Sequence, residues 1–189
     1  MDELGEQPTL TCPGNYILRP FRFADAEVVV AAGRDPHIPS ITTVERDCSH
    51  DDASAYIQRQ RDRPTSGVGY SFAIAEESTD RAVGQIGVWF RDYEEHRRIT
   101  LGYWVVQSER GKGIASLSLA AATRWALDDL DAIRCQAFVE PWNAGSWRAA
   151  ERVGYEREGL LRRWQRIDGI WRDLFAYAIV REQVQIFRP

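Results

Sequence analysis

Residues 108–116 read SERGKGIAS and lie between the apolar run LGYWVV (101–106) and a stretch rich in alanine and leucine. Glycine gives up more backbone freedom on folding than any other residue. Gly111 and Gly113, set between a strand-like and a helix-like run, therefore mark a place where the backbone itself is used. A loop opening a helix exposes N–H groups with no intrahelical partner, and these attract an anion together with the helix dipole. The implied chemistry is the holding of phosphate. The segment does not fit GxxxxGK[ST], and Ser116 stands where the GxGxxG pattern needs its last small residue. It does fit R-x-x-G-x-A through Arg110, Gly113 and Ala115. A second cluster, WNAGSW at 142–147, sets Asn143, a natural N-cap, three residues before the hydroxyl of Ser146. Trp142 and Trp147 flank both as walls for a site. His37, His50 and His96 show no ligand spacing with one another or with the cysteines, so no metal is expected.

These groups need a scaffold, and the chain supplies a regular one. YILRPF (16–21) alternates as a strand. Residues 24–35 and 50–63 read as helices separated by a loop with two prolines at 36–49. Strands follow at 71–77, 82–90 and 97–106, then a breaker-free helix at 116–130. A strand at 133–140, a helix at 143–155 and two strands at 155–167 and 170–180 complete the chain. Asp168-Gly169 joins the last two as a hairpin. The expected architecture is one α/β domain at 15–189, a mixed and mostly antiparallel seven-stranded sheet flanked by about four helices. A flexible leader is expected at 1–14.

Composition narrows the function. The 189 residues carry 24 Lys and Arg against 28 Asp and Glu, a net charge of −4. That balance argues against a dedicated nucleic-acid partner, whose phosphates need basic surface. Cys12, Cys48 and Cys135, odd in number and without CxxC spacing, read as free thiols of a reducing compartment. An acidic, polar start and the lack of any long apolar run predict a cytoplasmic protein with no membrane partner.

Four segments in order carry a resemblance. ILRPFRFADAEVV, LGYWVVQSERGKGIAS, NAGSWRAAERVGYEREG and RIDGIWRDLFAYA resemble the RimJ/RimL-like subgroup of the GNAT acyltransferases, over roughly residues 15–181. In that family R-x-x-G-x-A is the pyrophosphate-binding motif. The resemblance implies an N-acyltransferase that moves an acetyl or larger acyl group from acyl-coenzyme A to a primary amine by direct attack. It implies that Val105 and Val106 present backbone groups to the pantetheine arm. Backbone N–H groups of Arg110, Gly111, Lys112, Gly113, Ile114, Ala115 and Ser116 would hold the pyrophosphate. Asn143 would bind the arm near the thioester, and Ser146 would act as general acid toward the departing thiolate. A non-catalytic acyl-coenzyme A sensor on the same fold is the alternative.

One family position departs from the pattern. Where some members carry a glutamate to deprotonate the amine, this chain has Gln165, so a water chain, Glu95 or His96 is the expected proton collector. Magnitude then favours a weakly basic acceptor. An α-amine of pKa about 7.8 is roughly 15% neutral at pH 7, against about 0.04% for a lysine near 10.4. A protein N-terminus and a small-molecule amine both satisfy this, in a monomer or a homodimer.

Overall fold

The computed structural model describes residues 5–181. Among them eight strands form one sheet: β1 (Leu10–Cys12), β2 (Tyr16–Pro20), β3 (Gly69–Glu76), β4 (Ala82–Asp92), β5 (Arg98–Val105), β6 (Arg134–Val139), β7 (Glu156–Ile167) and β8 (Ile170–Val180). Their order is β1-β2-β3-β4-β5-β6-β8-β7, and every neighbouring pair is antiparallel except β5 and β6. The helices are α1 (Ala26–Gly33), α2 (Ile38–Ile41), α3 (His50–Arg61), α4 (Tyr93–His96), α5 (Ile114–Asp128) and α6 (Ala144–Val153). The sheet is thus mixed and mostly antiparallel as expected, with one strand more than seven and two single-turn helices beyond the four anticipated.

The added strand lies inside the expected leader. Leu10 to Cys12 pairs with β2 through Leu10↔Leu18 and Cys12↔Tyr16. Pro13 obscures this strand in the sequence, yet Gly14 and Asn15 both adopt positive φ, 79° and 64°, the geometry of a tight hairpin turn. Residues 1–4 and 182–189 lie outside the described residues. The other corrections are local. α2 forms within the expected loop because Pro39 sits in its first turn, where a missing N–H costs nothing.

Alternation along the strands makes two cores. On β5, Ile99, Leu101 and Val105 join the cluster under α5 and α6, while Trp104 joins the cluster under α1, α2 and α3. The helices are fixed at their ends. Ser49 and Asp52 form a reciprocal cap on α3. α6 starts at Asn143 and stops at Gly154, whose φ of 99° gives the left-handed end that only glycine adopts cheaply.

The feature that positions a site is a failure of pairing. β5 and β6 register at Arg98↔Arg134, Ile99↔Cys135 and Thr100↔Gln136 and no further. Yet β5 runs on to Val105 and β6 to Val139. Beyond Thr100 the two strands part, and a wedge opens through the middle of the sheet between the two layers of helices.

Candidate active site

Gly111 and Gly113 stand at φ 83° and 77°. A Cβ at Gly111 would meet nothing within 4 Å, and one at Gly113 only the Ser116 Oγ at 3.9 Å. Backbone conformation, not space, requires glycine there. Gly113 is the N-cap of α5 and has no side chain to cap with. The first intrahelical bond runs from Leu117 N–H to the Gly113 carbonyl at 3.1 Å. Ahead of it, the N–H groups of Gly113, Ile114, Ala115 and Ser116 donate to no acceptor among the described residues. The Ser116 hydroxyl turns back to the Gly113 carbonyl at 2.8 Å. The chain therefore ends its loop with a row of free donors at the positive end of a helix of 15 residues.

The charged side chains of the loop are engaged elsewhere. Arg110 donates from Nε to the Val105 carbonyl at 3.0 Å and from Nη2 to Asp35 Oδ2 at 2.7 Å. Its own N–H donates to the Gln107 carbonyl at 3.3 Å, so the row of free donors does not include Arg110. Lys112 Nζ meets Glu109 Oε2 at 2.6 Å. The N–H of Val106 donates to Val83 and its carbonyl accepts from Glu109. The backbone groups expected of Val106 are thus taken inside the protein, as is the Val105 carbonyl.

The wedge leads into a cleft of about 670 Å³ lined from both faces of the sheet, by Tyr103, Asn143 and Ser146 on one side and by Gln85, Trp89 and Trp104 on the other. Asn143 Oδ1 accepts the Ser146 N–H at 3.1 Å, which leaves its amide NH2 free to donate. Ser146 Oγ–H donates to the Tyr103 hydroxyl at 3.1 Å, and Tyr103 donates to the Ser146 carbonyl at 2.9 Å. Burial raises the Tyr103 pKa, outweighing the opposing hydrogen bond from Ser146, so the phenol keeps its proton. Gln165 lines the same cleft. A shift of register between Leu161 and Gln165 places it, with the Arg163 N–H tied to Asp173 Oδ1 at 2.8 Å.

The structure adds a group that the sequence reading passed over. His37 and Glu140 line the cleft together, with His37 Nε2 at 3.6 Å from Glu140 Oε2. Glu140 also lies 3.8 Å from Arg172 Nε. Trp142 packs edge-on against the His37 ring, centroids 4.5 Å apart, but is 61% exposed and is not among the residues lining the cleft. Trp147 instead donates to the Pro141 carbonyl and leans on the core. Burial holds the His37 pKa below the usual value, and the nearby Glu140 carboxylate only partly opposes it. Asp35 sets the residue in place by accepting the N–H groups of His37 and Ile38 at 2.9 and 3.0 Å. By contrast Glu95 and His96 sit on exposed α4, before β5, and are not among the residues lining the cleft. No local signal pairs His37 with Glu140, which lies more than a hundred positions downstream.

The arrangement is a wedge in a sheet with free donors at the start of the adjoining helix, a hydroxyl and an amide at its side and an imidazole facing them. Comparison with known proteins gives it a class. The family model described as an acetyltransferase (GNAT) domain matches residues 15–156. The chain belongs to the GNAT acetyltransferases. It is 26% identical over 166 residues to an uncharacterized N-acetyltransferase p20 of Bacillus licheniformis, covering 88% of this chain and 93% of that protein. A shorter stretch of 73 residues, 39% of this chain and 38% of the relative, is 37% identical to the [ribosomal protein uS5]-alanine N-acetyltransferase of Escherichia coli. Among solved structures, Mycobacterium smegmatis RimJ in complex with CoA-disulfide superposes with a TM-score of 0.79 at 28% identity, over 94% of this chain and 88% of that one. The protein is an acyl-coenzyme A-dependent N-acetyltransferase of RimJ/RimL-like kind. No helix among the described residues is long and apolar enough to cross a membrane.

Proposed function

We propose that the protein acetylates a weakly basic primary amine, an α-amine above all, with His37 receiving the amine's proton. The observation that carries this reading is His37 and Glu140 lining one cleft with Asn143 and Ser146, at a wedge whose adjoining helix begins with four free N–H groups. Those donors suit a pyrophosphate, and the amide NH2 of Asn143 suits a pantetheine carbonyl. Acetyl-coenzyme A supplies the activated acyl group when bound. The remaining steps fall to the protein's own residues. His37, neutral at pH 7 because burial lowers its pKa, takes the proton as the amine nitrogen bonds to the acyl carbon. Glu140 stabilises the imidazolium that results. Ser146 Oγ–H turns from Tyr103 to the sulfur as the carbon–sulfur bond breaks. General base assistance of this kind contributes about 10²–10⁴-fold.

A histidine is too weak a base to rescue a lysine. Burial holds the His37 pKa below the ordinary imidazole value, and that ordinary value is itself roughly four units under a lysine and about one under an α-amine. Peptide and protein N-termini satisfy the requirement, and the uS5 relative is named for an alanine of a ribosomal protein. Acetyl transfer to a peptide with a free α-amine and no lysine is compared with transfer to the same peptide, N-terminally blocked and carrying one lysine. The expected ratio of kcat/KM at pH 7 is at least about 100-fold in favour of the α-amine. Equal rates would remove His37 from the role of base.

A further inference from the structure

Across the cleft from Ser146 the floor is an indole lying on glycines. A Cβ at Gly87 would fall 1.9 Å from Trp89 Cζ2, and one at Gly102 would stand 3.7 Å from Trp89 Nε1. Gly87 and Gly102 are register partners on β4 and β5, so the Trp89 ring spans both strands. The guanidinium carbon of Arg63 lies 4.3 Å from the centroid of that ring. Its Nε donates to Gln60 Oε1 at 2.8 Å, and Gln60, itself 1% exposed, is tied to the Tyr56 carbonyl at 3.3 Å. The head of Arg63 is therefore fixed from two sides while its two terminal nitrogens donate to nothing among the described residues. Arg91, two residues past Trp89 on the same face of β4, lines the cleft as well.

The chain holds more carboxylates than cations, and Arg22, Arg81, Arg97, Arg134 and Arg181 each pair with a carboxylate. No carboxylate of the described residues pairs with Arg63 or Arg91. Arg59, Arg61, Arg148 and Arg157 also lack a carboxylate partner among the described residues. Arg63 differs from them in being held by both a buried amide and an indole inside the cleft. Burial, and after it the like charges of Arg59 and Arg91, lower the Arg63 pKa, with only Tyr56 acting the other way. A half-buried guanidinium oriented by a buried amide, next to a second cation and without a counter-ion, is matched to an anion from outside. The planar fork of arginine favours a carboxylate, which it meets with two parallel hydrogen bonds.

We propose that Arg63 and Arg91 form a carboxylate subsite of the acceptor pocket, and that the amine acceptor carries a carboxylate. The inference rests on the acyl-transfer reading above and names its substrate class: a free amino acid, or a peptide with an acidic residue beside its N-terminus. Two arms separate these sources. One compares glutamate with its bis-carboxamide, each rate taken per fraction of neutral amine at the assay pH, and the other compares peptides whose second residue is Asp or Asn. Acetyl transfer to the carboxylate form should exceed that to the amide at least tenfold in kcat/KM in one arm. Arg63→Gln should bring that ratio to within about twofold. The rise in melting temperature given by acetyl-coenzyme A should persist in the variant and show that it is folded. Calorimetry with glutarate, which has carboxylates and no amine, reads the subsite without turnover. Wild-type protein should bind it, and Arg63→Gln should weaken that binding at least tenfold. Equal use of acid and amide forms, glutarate failing to bind, or a preference that survives Arg63→Gln would each overturn the proposal. Glutarate binding that depends on Arg63 while no amine is acetylated would instead condemn the acyl-transfer reading and leave the subsite standing.

Discussion

The two ends of the cleft are built by opposite means. At the start of α5 the donors are backbone N–H groups, held by two glycines in a single run of nine residues, and the loop's cations are turned away toward Glu109 and Asp35. At the acceptor end side chains carry the chemistry. They come from the α1–α2 connection, the turn after α3, β4, the residue after β6, and β7. One buried carboxylate joins the two ends. Asp35 takes Arg110 on one oxygen and the His37 and Ile38 N–H groups on the other. Burial alone would raise its pKa, but those partners prevail and lower it, so it stays charged at neutral pH. A backbone site tolerates changes of side chain and fails on changes of φ. A side-chain site does the reverse.

The largest effect should come from the acceptor end. His37→Ala should lower kcat/KM for an α-amine by about 100-fold or more at pH 7, with the acetyl-coenzyme A melting shift retained. The pH profile gives the sharper test. Because the His37 pKa is lowered, its base form persists to a more acid pH than an ordinary imidazole's, and activity is lost only as pH falls through that lowered value. Wild-type log kcat/KM should therefore fall with pH in two limbs, one near the acceptor's own pKa and a steeper one below about 6.5. The variant should keep the first limb and lose the second. A lower limb that survives in His37→Ala would assign the base elsewhere and break the contrast.

A pair of glycine substitutions should cross over. Gly113→Val forces a β-branched residue into the left-handed region, a cost of at least about 1–2 kcal/mol. It should weaken acetyl-coenzyme A binding about 10- to 30-fold and leave the acceptor KM nearly unchanged. Gly87→Ala involves no unusual φ, but its Cβ would sit 1.9 Å from the Trp89 ring, so the indole must move and Arg63 loses its platform. The acceptor KM should rise about tenfold while the coenzyme melting shift stays. The same parameter moving in both variants would mean that the two ends are not separable.

The same contrast explains what the sequence could disclose. The glycine loop, the Asn143 cap and the Asp168-Gly169 turn were legible because each is a local backbone instruction written in adjacent residues. The strands expected at 82–90 and 97–106 were legible as apolar runs set off by turn residues, even though β4 is buried on both faces. Cys12 and Leu10 were missed because a three-residue strand gives too short an alternation to outweigh Pro13. His37, Glu140, Arg63 and Trp89 were missed as a group for a different reason. Their meaning depends on β4 lying beside β5, on α3 crossing that face, and on the wedge opening after Thr100. Gln165 was legible only as a departure from the family pattern. The imidazole that occupies the cleft beside it had no local mark.

The smallest effect should decide how the two hydroxyls divide the leaving-group step. In the resting structure Ser146 gives its proton to Tyr103, and Tyr103 gives its own to the Ser146 carbonyl. If Ser146 is the group that meets the sulfur, it must turn away from Tyr103, and Tyr103 stays behind to hold the first turn of α6 in place. Tyr103→Phe then removes one hydrogen bond to a carbonyl and one acceptor for the resting serine. A net loss of about 1 kcal/mol for such a bond corresponds to a fall in kcat of roughly fivefold, with the acceptor KM unmoved. Ser146→Ala, which removes the donor itself, should cost about 10- to 100-fold by comparison. If Tyr103→Phe costs as much as Ser146→Ala, and the double variant costs no more than either, the two hydroxyls act as one relay. The proton delivered to the sulfur would then belong to the pair, and the phenol held protonated by burial would be its reserve.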